Sequence, residues 1–405
     1  MAEGVLYCTL LVLLGSAWST LAQDTRLMRH LEHFTNVRNP AAVSNDAVLE
    51  ARAYIKDQFS QYGLQVRINQ FSTNVVVFNQ ERTVIGENII GIARGYLGSP
   101  VLVVGADYDS TLEESPLENN GAGVAALLEI ARNYMRMTGP GELYRRVKTV
   151  LFVAFDLNTR EYANAQSDFR YGLPGSYHFL HQFLWPFLNQ SANNFQGAII
   201  LDSISKFSER NNTQYLPPGF DLAFPEARHI GTQGAKGNFM ALFSLGSAAI
   251  QRLTSTIISS YSRDPKSRMM RIQELLVNSN VNQGSTVPMF NHQSHFSFWT
   301  FQPADTPVSL PAVLLTDTGV YRSPGEECSI PCSAQNFLTP TRHDFIRLTT
   351  RSLTTAVLQL QAERTSSSSS QYHLYTNDGN PGGAAMMMTY TVSTLMVVCL
   401  LLLLQ

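Results

Sequence analysis

The chain has 405 residues, 44% of them apolar and 15% charged, enough material for one large hydrophobic core or two smaller ones. Its formal net charge is -2, and no basic stripe or Lys/Arg cluster appears along the sequence. Nucleic acid and anionic lipid surfaces therefore have no electrostatic reason to be partners.

At the N-terminus an apolar run from Val5 to Leu14 passes through small residues to Thr20-Leu21-Ala22. The run is too short to span a bilayer, and its small-x-small exit reads as a secretory signal over residues 1–22, with the mature chain starting at Gln23. From Ser44 to Tyr62, the residues Val48, Ala51, Ile55, Phe59 and Tyr62 recur on one helical face, and Gly63 follows as a stop. Short β-rich runs come next, at Leu64 to Phe71, Asn88 to Ala93 and Val101 to Ala106. The last is apolar without alternation, as a strand buried on both faces should be.

A helix is expected from Gly121 to Met137, and a second buried strand from Thr149 to Phe155. Further strands are expected at Gly197 to Leu201 and Ala312 to Leu315, separated by helical stretches such as Phe243 to Tyr261. Strands alternating with helices predict a three-layer α/β/α sandwich around a mostly parallel, mixed central sheet. Ligands in such folds sit beyond the carboxyl ends of the strands, which directs attention to Asp107–Asn120, Asp156–Glu161, Asp202–Ser205 and Thr316–Glu327. Gly121 and Gly123 read as the tight turn opening a helix, since no Walker lysine accompanies them, and Gly-x-Ser-x-Gly is absent.

The folded ectodomain is expected to run from 23 to 365. A polar Ser/Gly-rich linker follows over 366–383, and an uncharged hydrophobic tail over 384–405. The tail is long enough to cross a bilayer, and nothing charged follows it. This fits a GPI signal that is cut off and replaced, with attachment near Asn377 or Asp378; a tail-embedded helix is the alternative. Cys8 and Cys399 fall in the two terminal segments, which leaves Cys328 and Cys332 as a local disulfide of the mature domain. Asn189 and Asn211 head glycosylation sequons, consistent with secretion to the cell surface.

The strand-end segments carry a resemblance. Val103-Val104-Gly105-Ala106-Asp107-Tyr108-Asp109, Glu118-Asn119-Asn120-Gly121-Ala122-Gly123, Phe152-Val153-Ala154-Phe155-Asp156, Gly172-Leu173-Pro174-Gly175-Ser176, Ile199-Ile200-Leu201-Asp202 and Pro311 to Thr318 occur in the right order across most of the mature chain. Together they resemble the di-zinc aminopeptidase family, whose relatives include glutamate carboxypeptidase, glutaminyl cyclase, nicalin, nicastrin and the transferrin receptor. The resemblance implies that family's fold and, in its active members, two zinc ions with a Glu as general base.

Measured against that pattern, the ligand set has changed. The first ligand, a His in the family, falls on Asp107, while Asp109 keeps the second acidic position. The bridging carboxylate falls on Asn119, and the base-and-ligand Glu pair on Asn158 and Thr159, with Glu161 as a substitute across an apparent insertion. The last ligand His falls on Glu327; Asp202 alone is unchanged.

A set of Asp107, Asp202 and Glu327 offers only oxygen, which favours weak calcium over zinc, or simply three carboxylates hydrogen-bonded to their surroundings. His295, among Phe296, Phe298 and Trp299, reads as a wall residue rather than a catalyst. The leading expectation is a cell-surface protein that has lost hydrolysis and acts as a binding or adhesion ectodomain for a protein or peptide. Its rivals are an active metallo-exopeptidase holding zinc through an altered ligand set, with Glu161 as base, and a ligand-carrying module.

Overall fold

The computed structural model describes residues 25–365 apart from 41, 43, 78–79, 113, 159–169, 278–292, 305–306, 324, 326–327 and 329–330. The expected signal, linker and tail lie outside the described residues. Residues 27–365 cluster as one compact unit. Among the described residues, no helix is long and apolar enough to cross a membrane.

After a short helix over residues 25–32, helix α1 (Asp46–Gln61) buries Ala51, Ile55 and Phe59 and stops where Gly63 turns to positive φ. A long hairpin follows, β1 (Gln65–Val77) paired antiparallel with β2 (Gln80–Ala93). The inner half of β2 is buried from Asn88 onward, whereas Gln80–Thr83 at the tip is exposed, which is why only the inner halves carry an apolar pattern. Then come β3 (Gly98–Asp107), helix α2 (Ala122–Met137), β4 (Tyr144–Arg146), β5 (Lys148–Phe155) and β6 (Arg170–Tyr171). The second half adds helix α3 (Gly175–Phe179), β7 (Phe195–Asp202), β8 (Phe239–Leu245), helix α4 (Ala248–Ser262) and β9 (Arg271–Val277). Helix α5 (Ser294–Trp299), β10 (Ala312–Thr316), helix α6 (Pro340–Gln361) and β11 (Ala362–Arg364) complete the set used below.

Among the described residues, nine strands form the main sheet in the order β6-β1-β2-β5-β3-β7-β10-β8-β9. The central run β5, β3, β7, β10 is parallel, and the hairpin and β8 join it by antiparallel pairing. Successive side chains of a strand point to opposite faces. Leu102, Val104 and Ala106 of β3 accordingly pack with α1, α2, α4 and α6 in one core, and Val101 and Val103 with Phe179, Phe224 and Trp299 in the other. The same split recurs in β7 and β10. The expected sandwich is therefore the observed one.

One expectation is corrected. The stretch Phe243 to Tyr261 is not helical throughout: Phe243 belongs to β8, and the helix begins at Ala248. Phe243 pairs with Leu314 in the sheet interior, so burial on both faces decided the local conformation over propensity. Helix α6 starts where Thr339 accepts the Arg342 N–H and Pro340 occupies its first turn, and its inner face packs on α2 and α4.

Candidate functional site

The carboxyl ends of the parallel strands bring four carboxyl groups into one buried region. Asp107 closes β3, Asp156 follows β5, Asp202 closes β7 and Asp317 follows β10. Asn120 ties these ends together: its Nδ2 donates to the carbonyls of Asp107 (3.3 Å) and Leu201 (2.9 Å), and its Oδ1 accepts from Ser203 N and Gly123 N. A Cβ on Gly123 would lie 2.2 Å from Asn120 Oδ1, so helix α2 opens with glycine to admit this amide.

Around Asp107 the partners are neutral. Asn158 Nδ2 donates to Asp107 Oδ1 at 2.8 Å, and Ser294 Oγ, at the start of α5, donates to the same oxygen. Asn158 Nδ2 also contacts Ser294 Oγ. The other end of the amide is equally engaged, since Asn158 Oδ1 accepts from Ser176 N (3.1 Å) and Ser176 Oγ (2.9 Å), and Ser176 Oγ meets Ser297 Oγ at 2.8 Å. Burial pushes the Asp107 carboxyl up to about 7, against the opposing pull of the Ser294 and Asn158 hydrogen bonds. Asp202 accepts from Gln293 Nε2 at 2.6 Å. Burial first, then the negative charges of Asp107, Glu114 and Asp317, raises it well above the carboxylate range.

The neighbouring half is charged. Lys206 Nζ lies 3.4 Å from Glu118 and 3.7 Å from Glu114, and it donates to the Gly319 carbonyl. Burial alone would lower the ammonium, but Asp317, Glu118 and Glu114 together hold it above its ordinary value. Arg342, from α6, reaches the other oxygen of Glu118 at 2.7 Å. Asp317 is held by the backbone N–H groups of Ser205, Lys206 and Gly319 at 2.7, 2.6 and 2.8 Å. Asn119 turns its Nδ2 to Glu114 at 2.6 Å.

Of the residues singled out from sequence, Asp107, Asn119, Asn158 and Asp202 thus lie in this one region. Thr159, Glu161 and Glu327 lie outside the described residues. His295 is fully buried with Trp299 edge-on to it at 4.5 Å, and burial lowers its imidazole to about 3, so it is neutral. Cys328 and Cys332 form a disulfide with Cα atoms 5.6 Å apart, and the asparagines of both sequons, Asn189 and Asn211, are exposed. Ser176 and Ser294 stand in segments that carry the resemblance but were given no site role, and Lys206, Gln293 and Arg342 were not singled out, because each reaches the site from a separate element.

A zinc pair needs deprotonated ligands with free lone pairs and a bridging negative charge. Here the Asp107 oxygen already accepts two hydrogen bonds, and Asn119, which the resemblance places at the bridging position, carries an amide that donates to Glu114. Among the described residues, no three His, Cys, Asp or Glu side chains converge as a metal site. The described donors, as arranged, do not fit that ion pair.

No family model and no curated protein matches the sequence. Solved structures do match in fold. The aminopeptidase from Aneurinibacillus sp. strain AM-1 superposes with a TM-score of 0.51 at 10% identity, covering 84% of this chain and 94% of its own. BSAP, a zinc aminopeptidase from Bacillus subtilis, gives 0.50 at 11% identity, covering 85% and 96%. Glutaminyl cyclase from Macrostomum lignano gives 0.49 at 16% identity, covering 83% and 87%. The chain has the zinc-aminopeptidase fold.

Proposed function

We propose that this chain, built on the zinc-aminopeptidase fold, is a membrane-tethered binding or adhesion ectodomain whose ancestral metal cleft has been rebuilt as a hydrogen-bonded polar core. One observation carries the reading: Asp107, Asn158, Ser294 and Ser176 satisfy one another where metal ligands and a general base would stand. A peptidase base must be free to accept a proton from water, and an amide locked at both ends by serine hydroxyls and backbone cannot do so. What remains of the family inheritance is a rigid sandwich with variable loops at its strand ends, a common platform for recognising a protein or peptide.

The secretory signal over 1–22, the hydrophobic tail over 384–405 and the exposed sequons at Asn189 and Asn211 support delivery to the extracellular face of the plasma membrane through a GPI anchor. The rival exopeptidase reading draws support from the juxtaposition of Asp107 and Asp202 alone. A panel of aminoacyl and short-peptide substrates, assayed with added zinc and with chelator, separates the two. The binding reading expects no chelator-sensitive release of N-terminal residues; such release, abolished by Asp202→Ala, would establish the exopeptidase.

A further inference from the structure

The end of the molecule remote from the cleft has its own chemistry. β3 carries the chain from Gly98 to Asp107, about 30 Å at the usual strand rise. Helix α6 runs back over a similar length, about 33 Å for its 22 residues, from Arg342 beside the cleft to Gln361, whose carbonyl accepts Val147 N–H before β5 begins. The chain then leaves through β11, paired with β4, and Thr365 bonds to the carbonyls of Glu142 and Leu143. The exit toward the linker and hydrophobic tail therefore lies at the opposite pole from Asp107 and Asp202.

Around that exit the surface is both apolar and cationic. Tyr96, Leu97 and Leu143 are 56%, 61% and 59% exposed, among the largest exposed apolar side chains of the fold. A shallow groove of about 720 Å³ beside Thr365 is walled by Tyr96, by Arg94, Arg145 and Arg146, and by one acid, Glu142. Arg145 lies over the Tyr96 ring at 4.5 Å and pairs with Glu363, and Arg94 lies over Phe187 at 5.7 Å. Arg94 follows β2, whereas Arg145 and Arg146 stand side by side in β4 beyond helix α2, so the fold adds a third guanidinium to a pair adjacent in sequence.

We propose that this face lies on the phospholipid headgroup layer, with Leu97 and Leu143 entering the interface, Tyr96 at headgroup depth and the three guanidinium groups on phosphate oxygens. Interfacial aromatic, aliphatic and arginine side chains are the set that binds such a layer. The inference rests on the tethering proposed above. Its consequence is orientation: the strand-end loops point away from the membrane, toward whatever they bind.

The test uses the full chain made in mammalian cells and reconstituted in vesicles containing a headgroup-photoreactive phosphatidylcholine. Labelled peptides are then mapped by mass spectrometry. Peptides holding residues 94–97 and 140–146 should label about fivefold more than those holding Leu173 or Tyr215, exposed residues at the cleft pole. Leu97→Asp combined with Leu143→Asp should bring that labelling down to the control level while the chain stays with the membranes. Equal labelling of all four peptides in a membrane-bound chain would overturn the docking face and the orientation, and leave the tethering standing. A chain that does not fractionate with membranes would overturn the tethering and the docking face with it.

Discussion

The two halves of the strand-end region handle buried charge in opposite ways. Around Glu118, carboxylates are met by the cations Lys206 and Arg342; around Asp107, the carboxyl has only neutral donors, and burial pushes it up to about 7, so that below neutrality a proton stands in for a counter-ion. In a low-dielectric interior either solution is tolerable, whereas an unpaired ionised carboxylate is not. The difference shows two ways in which a buried site can keep acidic residues without an external cation. It can neutralise them with an internal cation or with a proton.

The comparison breaks most visibly on the charged side. Arg342→Ala leaves Glu118 buried with one cation fewer, which should cost ~3–5 kcal/mol in chemical denaturation. A loss under ~1 kcal/mol would mean that Glu118 is solvated, and that the two halves do not differ.

On the neutral side, the effect is one of pH. The Asp107 carboxyl moves from an ordinary 3.8 to about 7 on folding, so the folded state holds a proton that the unfolded chain has released. The Asp107 contribution to stability is then fullest below about pH 4, falls as pH rises, and is gone above about pH 7, a change of at most about 4 kcal/mol. Asp107→Asn should flatten that slope and be more stable than the parent at pH 8, with no advantage at pH 4. Parallel pH profiles for the two proteins would contradict a protonated Asp107.

Smaller again is Asn158→Ala, which strips Asp107 and Ser176 of a shared partner and should cost about 2 kcal/mol. Asn158→Asp is the sharper variant. A second carboxylate beside Asp107 should be worse tolerated than alanine, and the reverse order would mean that a cation enters the site.

Much of the frame was legible in the sequence because burial writes itself into composition. β3, β5, β7 and β10 are covered on both faces, and each reads as an unbroken apolar run. β9 went unseen, since its residues Arg271–Glu274 are exposed or half-buried and break that run. In β8, the apolar run continued into α4 with only Gly246 and Ser247 between, which hid the boundary. Asp107, Asn119 and Asn158 could be named one by one from the strand-end segments, and the fold brings them into one region. The contacts of the serines could not be read, even for Ser176 within its motif, because Ser176 and Ser294 reach Asn158 across 18 and 136 residues, and contact at that separation leaves no local pattern.

The central claim is that hydrogen bonds among this chain's own side chains occupy the place of a metal pair. It is tested most directly by elemental mass spectrometry of the protein secreted from cells grown in zinc-supplemented medium and dialysed without chelator. The account predicts zinc far below one ion per chain, unchanged in Asp202→Ala. Zinc at about one or two per chain, lost in that variant, would contradict it and restore a metallopeptidase site.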